Sequence, residues 1–192
     1  MTRWSLPALL ACALLSGACG DPPNKEMDQA QGAIDAARAA GADRYAAEEY
    51  AAAGRALGSA REAVTARDYR LALNNALESR EHAQNAAREA ADTKARLSSE
   101  IERSMADIAA LLAQATTRIE AAKKARVAPR VLREPERALA AVEADVQKAS
   151  AAMKVDDYLA ARTALDGVKA RIDKVIASLD ARAGAQISRR RR

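Results

Sequence analysis

The chain has 192 residues, 49% hydrophobic and 30% charged, with a formal net charge of +5. That balance excludes a disordered polyelectrolyte, and a 3% aromatic content with no Phe leaves little bulk to line a ligand cavity, so close helix packing is expected over a roomy pocket. Without Arg3 and Arg189 to Arg192 the body carries no net charge, so the excess is a terminal arginine run rather than a basic face for nucleic acid.

Residues 1–18 read as an export signal. Arg3 is the positive end, Leu6 to Leu15 the apolar core, and Ser16-Gly17-Ala18 the small residues before cleavage. The apolar core is too short to span a bilayer as a helix. Leu15-Ser16-Gly17-Ala18-Cys19 then resembles the lipobox of bacterial lipoproteins, departing from it in having Ser16 where leucine is usual. The resemblance implies acylation of Cys19, and Gly20 after it implies sorting to the outer membrane, facing the periplasm. The other reading is plain secretion, with Cys19 left as an odd thiol. Cys12 would leave with the signal, so no disulfide is expected.

Residues 19–23 read as a tether. From Asn24, placed to cap, a helix is expected through Met27, Ala30, Ile34 and Ala37 to a stop at Gly41. A second runs from Ala46 to Ala66 on the seam Tyr50, Ala53, Leu57, Ala60 and Val64, whose alternating steps of three and four keep one face apolar. Gly54 and Gly58 inside it predict close backbone approach to a neighbour. The chain reverses at Arg67-Asp68-Tyr69, with Asp68 as N-cap.

The seam resumes at Tyr69, Ala72, Ala76, Ser79, Ala83, Ala86, Ala90, Thr93 and Leu97. Two successive steps of four then carry it through Ile101 and Met105, a stutter beside a capping-box sequence, Ser99-Glu100-Ile101-Glu102. A continuous or gently kinked helix is expected there. A fourth helix is placed from Pro135 to Lys154 and a fifth from Asp157 to Arg182. Their seam repeats the first hairpin 89 residues on, from Leu139 and Val142 through Asp157-Tyr158 to Ile172, Val175 and Leu179. The expected fold is all-α, antiparallel helical bundles in two tandem three-helix units, residues 24–97 and 98–183, sharing one long central helix. A basic tail, 184–192, follows.

The inventory for chemistry is thin. His82 is the sole histidine, and no second one at helix spacing completes a zinc pair, so it reads as a surface or boundary residue. No phosphate-cradling loop or nucleophile elbow is present. No catalytic, metal or cofactor-binding residue is assigned, and a non-enzyme is expected. Arg88/Asp92 and Lys169/Asp173 read as solvated helix pairs, and Tyr50, Tyr69 and Tyr158 as rings packed at hairpin ends.

Ala39-Ala40-Gly41-Ala42-Asp43-Arg44-Tyr45-Ala46-Ala47-Glu48-Glu49-Tyr50, with the alanine seam and the Asp68-Tyr69 turn, resembles the DUF4398 family of bacterial envelope lipoproteins over about residues 30–92. It departs at Ala47, where a helix-starting proline is expected, and the peptidoglycan-binding domain of some relatives has no counterpart. The family has no assigned activity. The resemblance implies an envelope location and leaves two functions open. One is a scaffold or adaptor for an envelope protein or peptidoglycan, tethered to the membrane through Cys19, with Arg189, Arg190, Arg191 and Arg192 as contacts for anionic groups. The other is a binding module for a small molecule or cell-wall fragment in a cleft between the bundles.

Overall fold

The computed structural model describes residues 21–190, with side chains from 21 to 181. Among these residues every regular element is a helix: α1 Asn24–Ala39, α2 Ala42–Tyr45, α3 Ala47–Thr65, α4 Tyr69–Lys124, α5 Pro129–Met153, α6 Tyr158–Leu165 and α7 Val168–Arg190. Two compact units meet in sequence at Thr93 and Lys94, within α4, which is unbroken over 56 residues. The all-α class and the long central helix are those that the seam spacing predicts. The capping box at Ser99 is not used: Ser98 Oγ bonds Glu102 Oε1 instead, at 3.2 Å, inside continuous helix.

In the first unit α1 buries Ala30, Ile34 and Ala37, and α3 buries Ala53, Leu57, Ala60 and Ala63, with Val64 half-buried. Facing them, α4 buries Ala72, Ala76, Ser79, Ala83, Ala86 and Ala90, all at 0% exposure. Asn24 is the first residue of α1 and makes no side-chain cap; Pro23 holds the cap position. Gly41 ends α1 in the left-handed region, φ 84°, which glycine enters without a Cβ clash. After it come the single turn α2 and the non-helical Ala46, φ −147° and ψ 48°, which bury Ala42, Tyr45 and Ala46. The expected close approach at Gly54 and Gly58 is not found, since a Cβ at either would meet nothing within 4 Å. Both lie off the buried stripe, where their helix cost of about 1 kcal/mol each buys no packing.

In the second unit α5 starts at Pro129, not Pro135. Proline suits the first helical position, where its missing N–H would be unpaired anyway. Pro135 lies inside the helix and forfeits a bond to Val131, yet it is buried with Leu132 and Leu139 at three-four spacing, and that burial opposes the break. The fifth predicted helix is two, parted at Asp166-Gly167. Asp166 is extended, ψ 131°, and Gly167 is left-handed, φ 66°. Leu165 and Val168 are both buried on either side, so the break keeps the seam in phase. The helix past it runs to Arg190, so residues 184–190 of the expected tail are helical.

The 89-residue repeat extends to individual hydrogen bonds. Asp68 Oδ1 accepts from Leu71 N at 3.0 Å and Asp157 Oδ1 from Ala160 N at 3.1 Å, so both aspartates cap as predicted. Before each cap a left-handed residue, Arg67 at φ 59° or Asp156 at φ 57°, closes the preceding helix. Asp68 N donates to Ala63 O and Asp157 N to Ala152 O, the long bond of a Schellman turn. A third such turn ends α4, with Arg126 at φ 58° and Val127 N donating to Ala122 O.

Candidate functional site

The sequence-predicted site residues lie at the two ends of the chain. Cys19, Arg191 and Arg192 fall outside the described residues; Arg189 and Arg190 close α7, and their side chains are likewise outside. Among the described residues no cluster of three or more His, Cys, Asp or Glu is placed to hold a metal ion, and no helix is long and apolar enough to cross a membrane.

What the fold does assemble is a set of polar ties across the first unit. His82 on α4 sits 2.8 Å, through Nδ1, from Glu49 Oε2 on α3, and its Nε2 is 3.7 Å from Glu78 Oε1 one turn back. The Glu49 hydrogen bond holds the imidazole above its ordinary pKa, against a smaller lowering by burial. Carboxylates on opposite ring nitrogens cannot converge on one ion, so this is a clamp rather than a metal centre. Arg38 Nε on α1 donates to Tyr50 Oη on α3 at 2.7 Å, with the guanidinium 5.8 Å from the ring centroid. Gln31 accepts from Arg61 and Gln29 from Arg80, at 3.0 and 2.9 Å. Beneath them Ser79 Oγ, fully buried, donates to Ala53 O at 2.8 Å. The one-turn reach of Glu78 was readable from spacing; the cross-helix partner Glu49 was not, because periodicity does not say which residue of α3 comes level with α4.

The second unit carries an open cleft of about 510 Å³ where α6 gives way to α7. Glu100, Ile101 and Ser104 of α4 face Arg162, Thr163, Leu165, Asp166 and Gly167 across it. The low aromatic content predicts no such space. It coincides with the Asp166-Gly167 break rather than with missing bulk in the seam. Elsewhere in this unit Asp145 is bonded by Arg171 and, at 3.0 Å, by Lys148, and these bonds, Arg171 first, hold its carboxyl below the usual range. The pairs Arg88/Asp92 and Lys169/Asp173 do not close: Arg88 bonds Asn85.

Residues 25–100 match the family model of DUF4398, a domain of unknown function. No curated protein and no solved structure matches the chain.

The matched segment takes in α1 from its second residue, α2, α3 and the start of α4, and with them the ties described above for the first unit. Its Gly41 to Tyr50 stretch has a physical sense in the fold. Gly41 supplies the left-handed stop, Tyr45 is buried at 8% exposure, and Tyr50 receives Arg38. Ala47, where the resemblance leads one to expect proline, is the first residue of α3, the helical position that proline favours.

Proposed function

We propose that the protein is a non-enzymatic scaffold or adaptor of the bacterial cell envelope, held at the outer membrane by acylated Cys19 and facing the periplasm. The observation that carries the reading is the construction of the first unit. An alanine seam lets three helices pack closely, and Arg38–Tyr50, Arg61–Gln31, Arg80–Gln29 and Glu49–His82 fasten them to one another. These four pairs tie α1 to α3, α1 to α4 and α3 to α4, so the three helices present their outer faces as one surface. The lipobox-like Leu15 to Cys19 and the DUF4398 match support the envelope setting. Partners under this reading are an envelope protein or peptidoglycan, with Arg189 to Arg192 available to anionic groups, and no nucleic acid. Crosslinking and affinity capture from intact envelopes should return one recurrent partner. Cys19→Ser should move the protein from the membrane to the soluble fraction; a variant that stays with outer membrane, beside a wild type carrying no acyl mass, would overturn the anchor.

A second reading, a binding module for a small molecule or cell-wall fragment, is favoured by the cleft at Arg162 and Asp166. A ligand at 100 times its dissociation constant would stabilise the fold by about 2.7 kcal/mol. A saturable thermal shift with an envelope metabolite, lost in Arg162→Ala, would put this reading first.

A further inference from the structure

We propose that the α4–α5 apex of the second unit is a docking surface for anionic lipid headgroups, one whose binding does not depend on the terminal arginines. Between Lys123 and Arg137 there are six cations, Lys123, Lys124, Arg126, Arg130, Arg133 and Arg137, against Glu134 and Glu136. One of the six is neutralised within the fold, since Lys123 bonds Glu120 at 3.0 Å and Glu136 at 3.1 Å. The other five are exposed. The other connection of the unit carries no such excess: from Lys154 to Asp166, two cations stand against Asp156, Asp157 and Asp166.

Helix stability alone does not account for this placement. Lys124 and Arg126 do complement the negative end of α4, but Arg130 lies in the first turn of α5, where the helix dipole opposes a cation and no carboxylate is present. Arg126 in addition takes the left-handed position that glycine fills at lower cost. Between the cations the apex presents exposed Ala128 and Pro129 and half-buried Val127. Small apolar groups ringed by Lys and Arg suit the headgroup boundary of a bilayer, where the former enter and the latter meet phosphates. A soluble acidic polymer would use the cations and leave the apolar tip without a purpose. α7 ends toward the same end: Arg118 of α4 and Asp180 of α7 are level, joined at 2.8 Å, and six residues further bring Lys124 level with residue 186.

The test is vesicle co-sedimentation of the mature chain carrying Cys19→Ser, so that no acyl chain contributes and failure of the anchor reading does not affect the result. Vesicles of phosphatidylethanolamine with and without phosphatidylglycerol are compared at low and high salt. Binding is expected only to the anionic vesicles, and it should fall with salt. At about 1 kcal/mol per cation, roughly fivefold each, the combined Lys124→Gln, Arg126→Gln, Arg130→Gln and Arg133→Gln variant should lose about six-hundredfold in affinity. Its unchanged circular dichroism would exclude unfolding, and the single Arg130→Glu should lose at least fivefold. Changing Arg189 to Arg192 to glutamine should leave most of the binding in place. Wild-type binding in the fourfold variant, loss of all binding on changing the tail alone, or binding to polyglutamate but not to vesicles would each overturn the proposal.

Discussion

The two units bury equivalent positions with side chains of different size. Ala76, Ser79, Ala83, Ala86 and Ala90 in the first correspond, 89 residues on, to Leu165, Val168, Ile172, Val175 and Leu179 in the second, and all ten are buried. The turns before them share the same cap and the same left-handed closure. The hairpin is therefore specified by its spacing and turn chemistry, and seam volume is free to vary. What varies with it is the stabilisation from apolar burial. The second unit gains about 0.8 kcal/mol for each extra buried CH₂. The first buries less apolar side chain at the same positions, while both units carry polar ties across helices, so the first should be the less stable of the two.

Truncating the large seam should break the comparison most strongly. Ile172 is fully buried, and Ile172→Ala should cost about 2–5 kcal/mol, the transfer term plus the cavity left behind. Hydrogen exchange should show the loss in α5, α6 and α7. The reciprocal change, Ala83→Leu, adds volume where helices already touch and should cost about 1–3 kcal/mol through overpacking in the first unit. If Ala83→Leu instead raises the melting temperature, the alanine seam is underfilled and the comparison fails.

The break at Gly167 is the sharpest departure from the repeat, since its counterpart Glu78 lies in continuous helix. A Cβ at Gly167 would meet nothing within 4 Å, so any cost is conformational. Gly167→Ala should destabilise by about 1–2 kcal/mol, the penalty of a left-handed L-residue. Urea unfolding measures it. A stabilised variant would mean that α6 and α7 can join as one helix, as α4 does at Glu78.

The seam was legible because helix geometry ties core positions to steps of three and four, and Asp68 and Asp157 because an N-cap is a local event. The misses were tertiary or energetically balanced. Pro129 and Pro135 are both helix-starting residues by local rule, and only the burial of Leu132 and Pro135 decides for the earlier one. Gly167 left no trace in the seam, since the break preserves phase. Gly54 and Gly58 have four-residue spacing without a neighbour to match it. Neither the Glu49–His82 tie nor the cleft at Arg162 is encoded by any one helix; each depends on how far one element has slid along another. The basic apex was masked by the neutral charge of the body as a whole, which hides a local excess in an equal deficit elsewhere.

The smallest effect is a pH dependence confined to the first unit. His82, the chain's one histidine, has its folded-state pKa raised by Glu49 on α3 and, more weakly, by Glu78 on α4. A raised pKa means that the folded state binds the proton more tightly than the unfolded chain, whose histidine titrates near about 6.5. The clamp therefore contributes its full stabilisation below that pH and loses it as pH rises through the folded-state value. His82→Gln removes the charge, so the stability difference between wild type and variant should be largest near about pH 6 and shrink on the alkaline side. Exchange protection in α3 and the first half of α4 should follow the same course, while α5 to α7, which have no histidine, should be unaffected. A difference that grows with pH would mean that His82 is bound neutral, donating from Nδ1 to Glu49, and that the clamp does not depend on its charge.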